Sequence, residues 1–201
     1  SKSFFVCVWF FSLIAGVLTY SCFEMSPEPY ICELDPDTCK TLTIYLFKNV
    51  SNVEAIRSNI IKGEWNCAVI KPTLILHPFQ VAVAANRAVV AEKLDTMVTR
   101  TVFAEILYNL SLTKNISQSL KKFGIEKDQD LLVCFLSTAG KDTSKEIVSQ
   151  IQGEQCSISE LSNFTNIKEV KSVYKLSNFK NEDRLLDVIV SRMVSKNFVS
   201  H

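Results

Sequence analysis

The chain has only two histidines, His77 and the terminal His201. A Ser-His-Asp or Cys-His nucleophilic site would therefore rest on His77 alone. No Gly-x-Ser-x-Gly elbow occurs. Beyond Met25 the glycines are Gly63, Gly124, Gly140 and Gly153, too sparse for a phosphate loop or a dinucleotide fingerprint. No spacing of His, Cys and carboxylates suggests a metal site. The seven cysteines form no Cys-x-x-Cys pair, and Cys67 and Cys134 lie inside apolar runs, where a free thiol packs as a small hydrophobe. We expect no enzyme, no cofactor, no metal and reduced, unpaired thiols.

What remains is charge. Basic and acidic residues number 22 and 21, so no global excess announces nucleic acid. Yet Lys71, Arg87, Lys93, Arg100, Lys114, Lys121 and Lys122 gather in and around Pro72–Gly124. Such a group is either solubilising charge on exposed helix faces or a patch that neutralises phosphates.

The elements that must position these residues are legible. Residues 26–40 are turn-rich and read as a lead-in loop or short edge strand. Thr41–Phe47 reads as a central strand, and Asp130–Ser137 as a second buried one. Cys67–Ile70 and Thr73–Leu76 read as strand runs interrupted by Pro72. Asn52 is placed to cap a helix ending at Gly63. Pro78 opens a helix to about Leu94, carrying Val81, Ala84, Ala85, Ala88 and Val89 at helical spacing. Its alanines would let another backbone approach closely. Phe103, Ile106, Leu107 and Leu110 mark the next helix. Asn115 with Gln118 caps another, stopped by Gly124; Thr143 with Glu146 and Asn166 with Glu169 repeat the signature. Gly153 would end the helix that starts after Thr143.

The last helix runs from about Glu182 to Lys196. Leu185, Ile189 and Met193 make one apolar row, and Leu186, Val190 and Val194 the next. Such a broad stripe faces the core, or faces the core and also offers part of itself to another protein. The expected fold is a single mixed α/β (α+β) domain over residues 25–201, a small central sheet packed with several amphipathic helices.

Residues 4–23 carry no charge and are long enough to span a bilayer. They read as upstream sequence from a wrongly assigned gene start, or as a signal peptide or anchor. We expect residues 1–24 to stand outside the mature domain. Sequons occur at Asn49, Asn109, Asn115 and Asn163. Asn109 ends a strongly apolar helix, a poor place for a glycan, which favours the cytosol and nucleus.

Longer blocks are more specific. Lys71–Leu94 (KPTLILHPFQVAVAANRAVVAEKL), Thr99–Ser111 (TRTVFAEILYNLS) and Asn115–Ile125 (NISQSLKKFGI) follow in order. This pattern resembles the TPRKB family, the small kinase-binding subunits of the EKC/KEOPS complex. Weaker similarity extends through Val148–Ile158, Asn166–Leu176 and Leu185–Met193, and upstream to Thr41–Val50.

The resemblance implies a non-catalytic subunit that binds the PRPK-type atypical kinase/ATPase. Through the complex it implies association with the OSGEP-type transferase and with tRNA, which receives threonylcarbamoyladenosine next to the anticodon. By charge within the matched blocks, Arg87, Arg100, Lys114, Lys121 and Lys122 are the expected tRNA contacts. Leu185, Ile189 and Met193 of the last helix are the expected kinase contacts. Lys71 and His77 stand where vertebrate members of the family would have Asn and Asp. The apolar leader has no counterpart in the family. Two other readings are a stand-alone RNA-binding module and, were the leader real, a secreted or membrane-anchored binding protein.

Overall fold

A computed structural model describes residues 27–138 and 144–198. The leader, Thr143 and His201 lie outside the described residues. Within them β1 (Tyr30–Glu33), β2 (Lys40–Lys48), β3 (Ala68–Ile70), β4 (Leu131–Thr138) and β5 (Glu154–Cys156) form one antiparallel sheet. Its order is β1-β2-β4-β3, and β5 pairs with the end of β2 that β1 leaves free. The expected mixed fold with a small central sheet is borne out.

β2 and β4 read as continuous apolar runs because both faces of the sheet are covered. Ile44 pairs with Cys134 and Leu46 with Leu132. These side chains, with Leu42, Ala68 and Ile70, enter the larger core. That core is completed by α2 (Pro78–Lys93), α3 (Val102–Leu110), α4 (Ile116–Phe123), α6 (Ile167–Val173) and α7 (Leu185–Ser195). Phe47, Val69, Val133 and Phe135 point the other way. They meet α1 (Val53–Lys62) and α5 (Ser144–Val148) in a smaller core with Trp65 and Cys67.

Ala84, Ala85 and Ala88 are fully buried where α2 packs along α3. Small side chains permit that approach, and Asn109 Nδ2 reaches the Ala84 carbonyl at 3.2 Å. Asn109 is thus a core residue, and its sequon has no room for a glycan. The caps at Asn115 and Asn166 form as the spacing requires: each side chain accepts from the backbone N–H three residues on.

Three local expectations fail. Thr73–Leu76 is not a strand, because Pro72 opens a 3-10 turn over Pro72–Leu74. The Thr73 carbonyl then accepts from Asn166 N and the Ile75 carbonyl from Thr165 Oγ1, so this backbone serves the entry to α6 instead of a ladder. Asn52 precedes α1 but makes no side-chain cap. Its amide holds Gln150 O and Gln152 N instead. That tether stops α5 at Val148 and leads the chain into β5, well before Gly153. A Cβ at Gly153 would lie 2.6 Å from Val50 Cγ2, so the crossing beneath Val50 needs glycine.

The deepest polar feature joins three helices. Tyr174, at the end of α6, is fully buried and donates its hydroxyl to Leu110 O at 2.7 Å. Gln80 of α2, also fully buried, donates Nε2 to the Tyr174 hydroxyl at 2.8 Å and to Leu74 O at 3.3 Å. Gln80 Oε1 accepts from Leu76 N at 3.0 Å. Burial holds the Tyr174 phenol far above its usual range, so it always carries its proton. Replacing Gln80 with Leu leaves buried partners unsatisfied and should cost about 1–3 kcal/mol. The urea midpoint should fall with an unchanged m-value.

Candidate functional site

The expected basic residues sit in four places. Lys121 and Lys122 end α4 and are exposed. With Lys71 and Gln118 they line an open cleft of ≈ 360 Å³, whose other walls are Glu126 and Glu169. Lys122 lies 3.7 Å from Glu169, and Lys71 lies 3.4 Å from Asp128. The exposed Lys122–Glu169 pair is weak and exchanges readily with another anion, whereas the Lys71–Asp128 pair is partly buried. Lys71, outside the expected set, joins this cleft because the Lys71 N–H bonds to Phe123 O, beside Gly124. A Cβ at Gly124 would lie 2.5 Å from Leu120 O, so glycine permits the join. Lys114 is exposed in the turn between α3 and α4.

Arg100 stands apart, on a second cleft of ≈ 330 Å³ lined by Trp65, Met97, Val102 and Phe103. Arg87 is half-buried, and its Nη1 donates to the Met193 carbonyl of α7 at 2.5 Å. Desolvation lowers its pKa, and Glu105 opposes that shift. The five basic residues therefore form no single patch. Only Lys121 and Lys122 line one cleft, and Arg87 is held against the last helix.

His77 is the N-cap of α2, with Nδ1 accepting from Phe79 N at 3.1 Å. The imidazole nitrogen here supplies the acceptor that a carboxylate or hydroxyl more commonly supplies at an N-cap. The residue that nucleophilic chemistry would require is thus occupied as a cap.

The free thiols of Cys67 and Cys134 are buried. Burial pushes the Cys67 thiol up to about 12 and raises that of Cys134 further. Among the described residues no group of three or more His, Cys, Asp or Glu could hold a metal. No described helix is long and apolar enough to cross a membrane.

The last helix requires a correction. Leu185, Ile189 and Met193 are 1%, 0% and 0% exposed and belong to the larger core. They are not surface available to a partner. The reason is the helix's rotation: Arg192 Nη1 donates to the Tyr174 and Lys175 carbonyls, and Arg87 holds Met193 O, which turns this row inward. The neighbouring row faces out. Leu186 and Val190 are half-buried, Val194 is 40% exposed, and Phe198 just beyond the helix is 87% exposed. The spacing of four residues that links them was legible; which of two adjacent rows turns inward was not.

These elements span one continuous domain, and residues 47–197 match the family described as kinase binding protein CGI-121. The chain belongs to the CGI-121 kinase-binding family. The EKC/KEOPS complex subunit TPRKB of Danio rerio is 36% identical over 162 residues, covering 78% of this chain and 91% of the zebrafish protein. The subunit CGI121 of Eremothecium gossypii is 32% identical over 155 residues, 73% of this chain and 85% of that protein. The Candida glabrata counterpart is 30% identical over 161 residues, 77% and 89% of the two chains. The resemblance carried by the Lys71–Ile125 blocks is borne out. In this CGI-121 family member the inward row of α7 is core, so Ile189→Ala should destabilise the chain by about 2–5 kcal/mol. Ile189→Asp should abolish the cooperative thermal transition rather than remove a partner selectively.

Proposed function

We propose that this chain is a non-catalytic subunit of an EKC/KEOPS-type complex, working in the cytosol and nucleus. It binds the PRPK-type kinase directly and meets the OSGEP-type transferase through the assembly. It helps hold the tRNA that receives threonylcarbamoyladenosine. The observation that carries the kinase assignment is the outward row Leu186, Val190, Val194 and Phe198. Its exposure rises toward the chain end in a fold whose family binds a kinase. A row at this spacing suits helix-against-groove or helix-against-helix docking. The curated relatives' names support membership of the complex.

For tRNA, the Lys71, Lys121 and Lys122 cleft is the best-supported surface. Lysines there can exchange weak partners for phosphates. Lys114 extends the same basic stretch of sequence, while Arg100 and Arg87 would contribute from separate positions.

Two measurements test this reading. Val190→Asp with Phe198→Asp should leave the circular dichroism spectrum and melting temperature nearly unchanged and abolish co-purification of the kinase. Retained kinase in that pull-down would place the interface elsewhere. Lys121→Glu with Lys122→Glu should weaken tRNA binding and flatten its salt dependence, by roughly one unit of log–log slope for each phosphate no longer neutralised. An unchanged slope would remove this cleft from the RNA surface. Tight tRNA binding with no kinase recovered from extract would favour a stand-alone RNA-binding module.

A further inference from the structure

The end of α7 holds a cation that neither proposed surface uses. Lys196 is 1% exposed. Its Nζ lies 3.3 Å from the centroid of the Tyr108 ring and donates to the Tyr108 carbonyl. Among the described residues no carboxylate lies within ion-pair distance of it. The acidic group that acts on it is Glu105, also on α3. Glu105 Oε2 is already engaged by the backbone N–H groups of Val98 and Thr99 and by the Thr99 hydroxyl. From α2, Arg87 adds a second positive charge. The charged groups that face Lys196 are thus Arg87 on α2 and Glu105 on α3, with the Tyr108 phenol, which burial keeps protonated above its ordinary range.

The ring face and the carbonyl favour the charged amine, but at 1% exposure and without an ion pair among the described residues they offset only part of the cost of burying that charge. The Lys196 charge favours water, while its stem favours the seam. We propose that Lys196 is a protonation-controlled latch on the last turn of α7, closed when the amine is neutral and prone to open when it is charged. This inference concerns the free chain and does not depend on the kinase or tRNA assignments.

Linkage sets the sign. Burial, with Arg87 adding to it, lowers the Lys196 pKa to about 8 in the closed state, against an ordinary value of 10.5. The open, solvated state therefore binds more protons between these values. Opening becomes less favourable as pH rises through that interval, by at most about tenfold per pH unit for one proton. Below it, both states are charged and the cost of burying the charge is fully present.

The test is amide hydrogen exchange on the full chain between pH 7 and 10, corrected for intrinsic exchange chemistry. Peptides over residues 190–198 report the latch, and peptides in β2 and β4 serve as the internal reference. In the wild type the protection of residues 190–198 should rise with pH by several-fold to tenfold per unit, while the reference stays level. Lys196→Met, which fills the seam without charge, should be protected at every pH and show no slope. Lys196→Arg, which stays charged throughout, should be less protected and also show no slope. The proposal is overturned if the wild type is flat, or if either variant keeps the wild-type slope. Failure of the kinase pull-down would leave these profiles untouched, so the two readings fail separately.

Discussion

The hydroxyl of Tyr174 is the point on which the helical layer depends. It donates to Leu110 O at the end of α3 and accepts from Gln80 near the start of α2. One buried oxygen thus ties three helices at a place no solvent reaches. Buried polar groups of this kind are costly unless every partner is supplied. Here they are supplied: among the described residues no buried side-chain nitrogen or oxygen lacks a partner. The Phe123 ring lies against Tyr174 with centroids 6.3 Å apart, which brings the end of α4 to the same point.

The surfaces proposed for function follow from that arrangement. α7 lies against α2 and α3. Arg192 reaches the Tyr174 and Lys175 carbonyls, and Lys196 enters the seam beside α3. This rotation buries Leu185, Ile189 and Met193 and leaves Val194 and Phe198 outward. The same bonds occupy Arg87, so a residue that looks like free positive charge in the sequence is a link between α2 and α7. At the other end, Gly124 lets α4 stop against β3, and Lys71 comes to stand with Lys121 and Lys122.

The fold makes specific demands on single residues. His77 offers Nδ1 to the first turn of α2 as its N-cap acceptor. Cys67 and Cys134 fill volume and are kept protonated by burial. His77, Cys67 and Cys134 are thus each engaged by capping or packing.

Much of this was legible in the sequence. Local rules decided the buried strands β2 and β4, the helix starts at Pro78, Asn115 and Asn166, and the stops at Gly63 and Gly124. Each depends on residues a few positions apart, so spacing alone specifies it. The ordered blocks over Lys71–Ile125 identified the family, because their joint order carries information no single residue has. The tertiary structure alone decided the rest. Thr73–Leu76 has strand-like composition, yet its carbonyls are taken by residues some ninety positions later. Asn52 has cap chemistry, yet its amide is spent on Gln150 and Gln152. β5 has no apolar signature and exists because β2 extends past β1. The choice between the two apolar rows of α7 turned on bonds from Arg87 and Arg192 to distant carbonyls. Periodicity defines a face of a helix, but only the partners across the gap determine which face is buried.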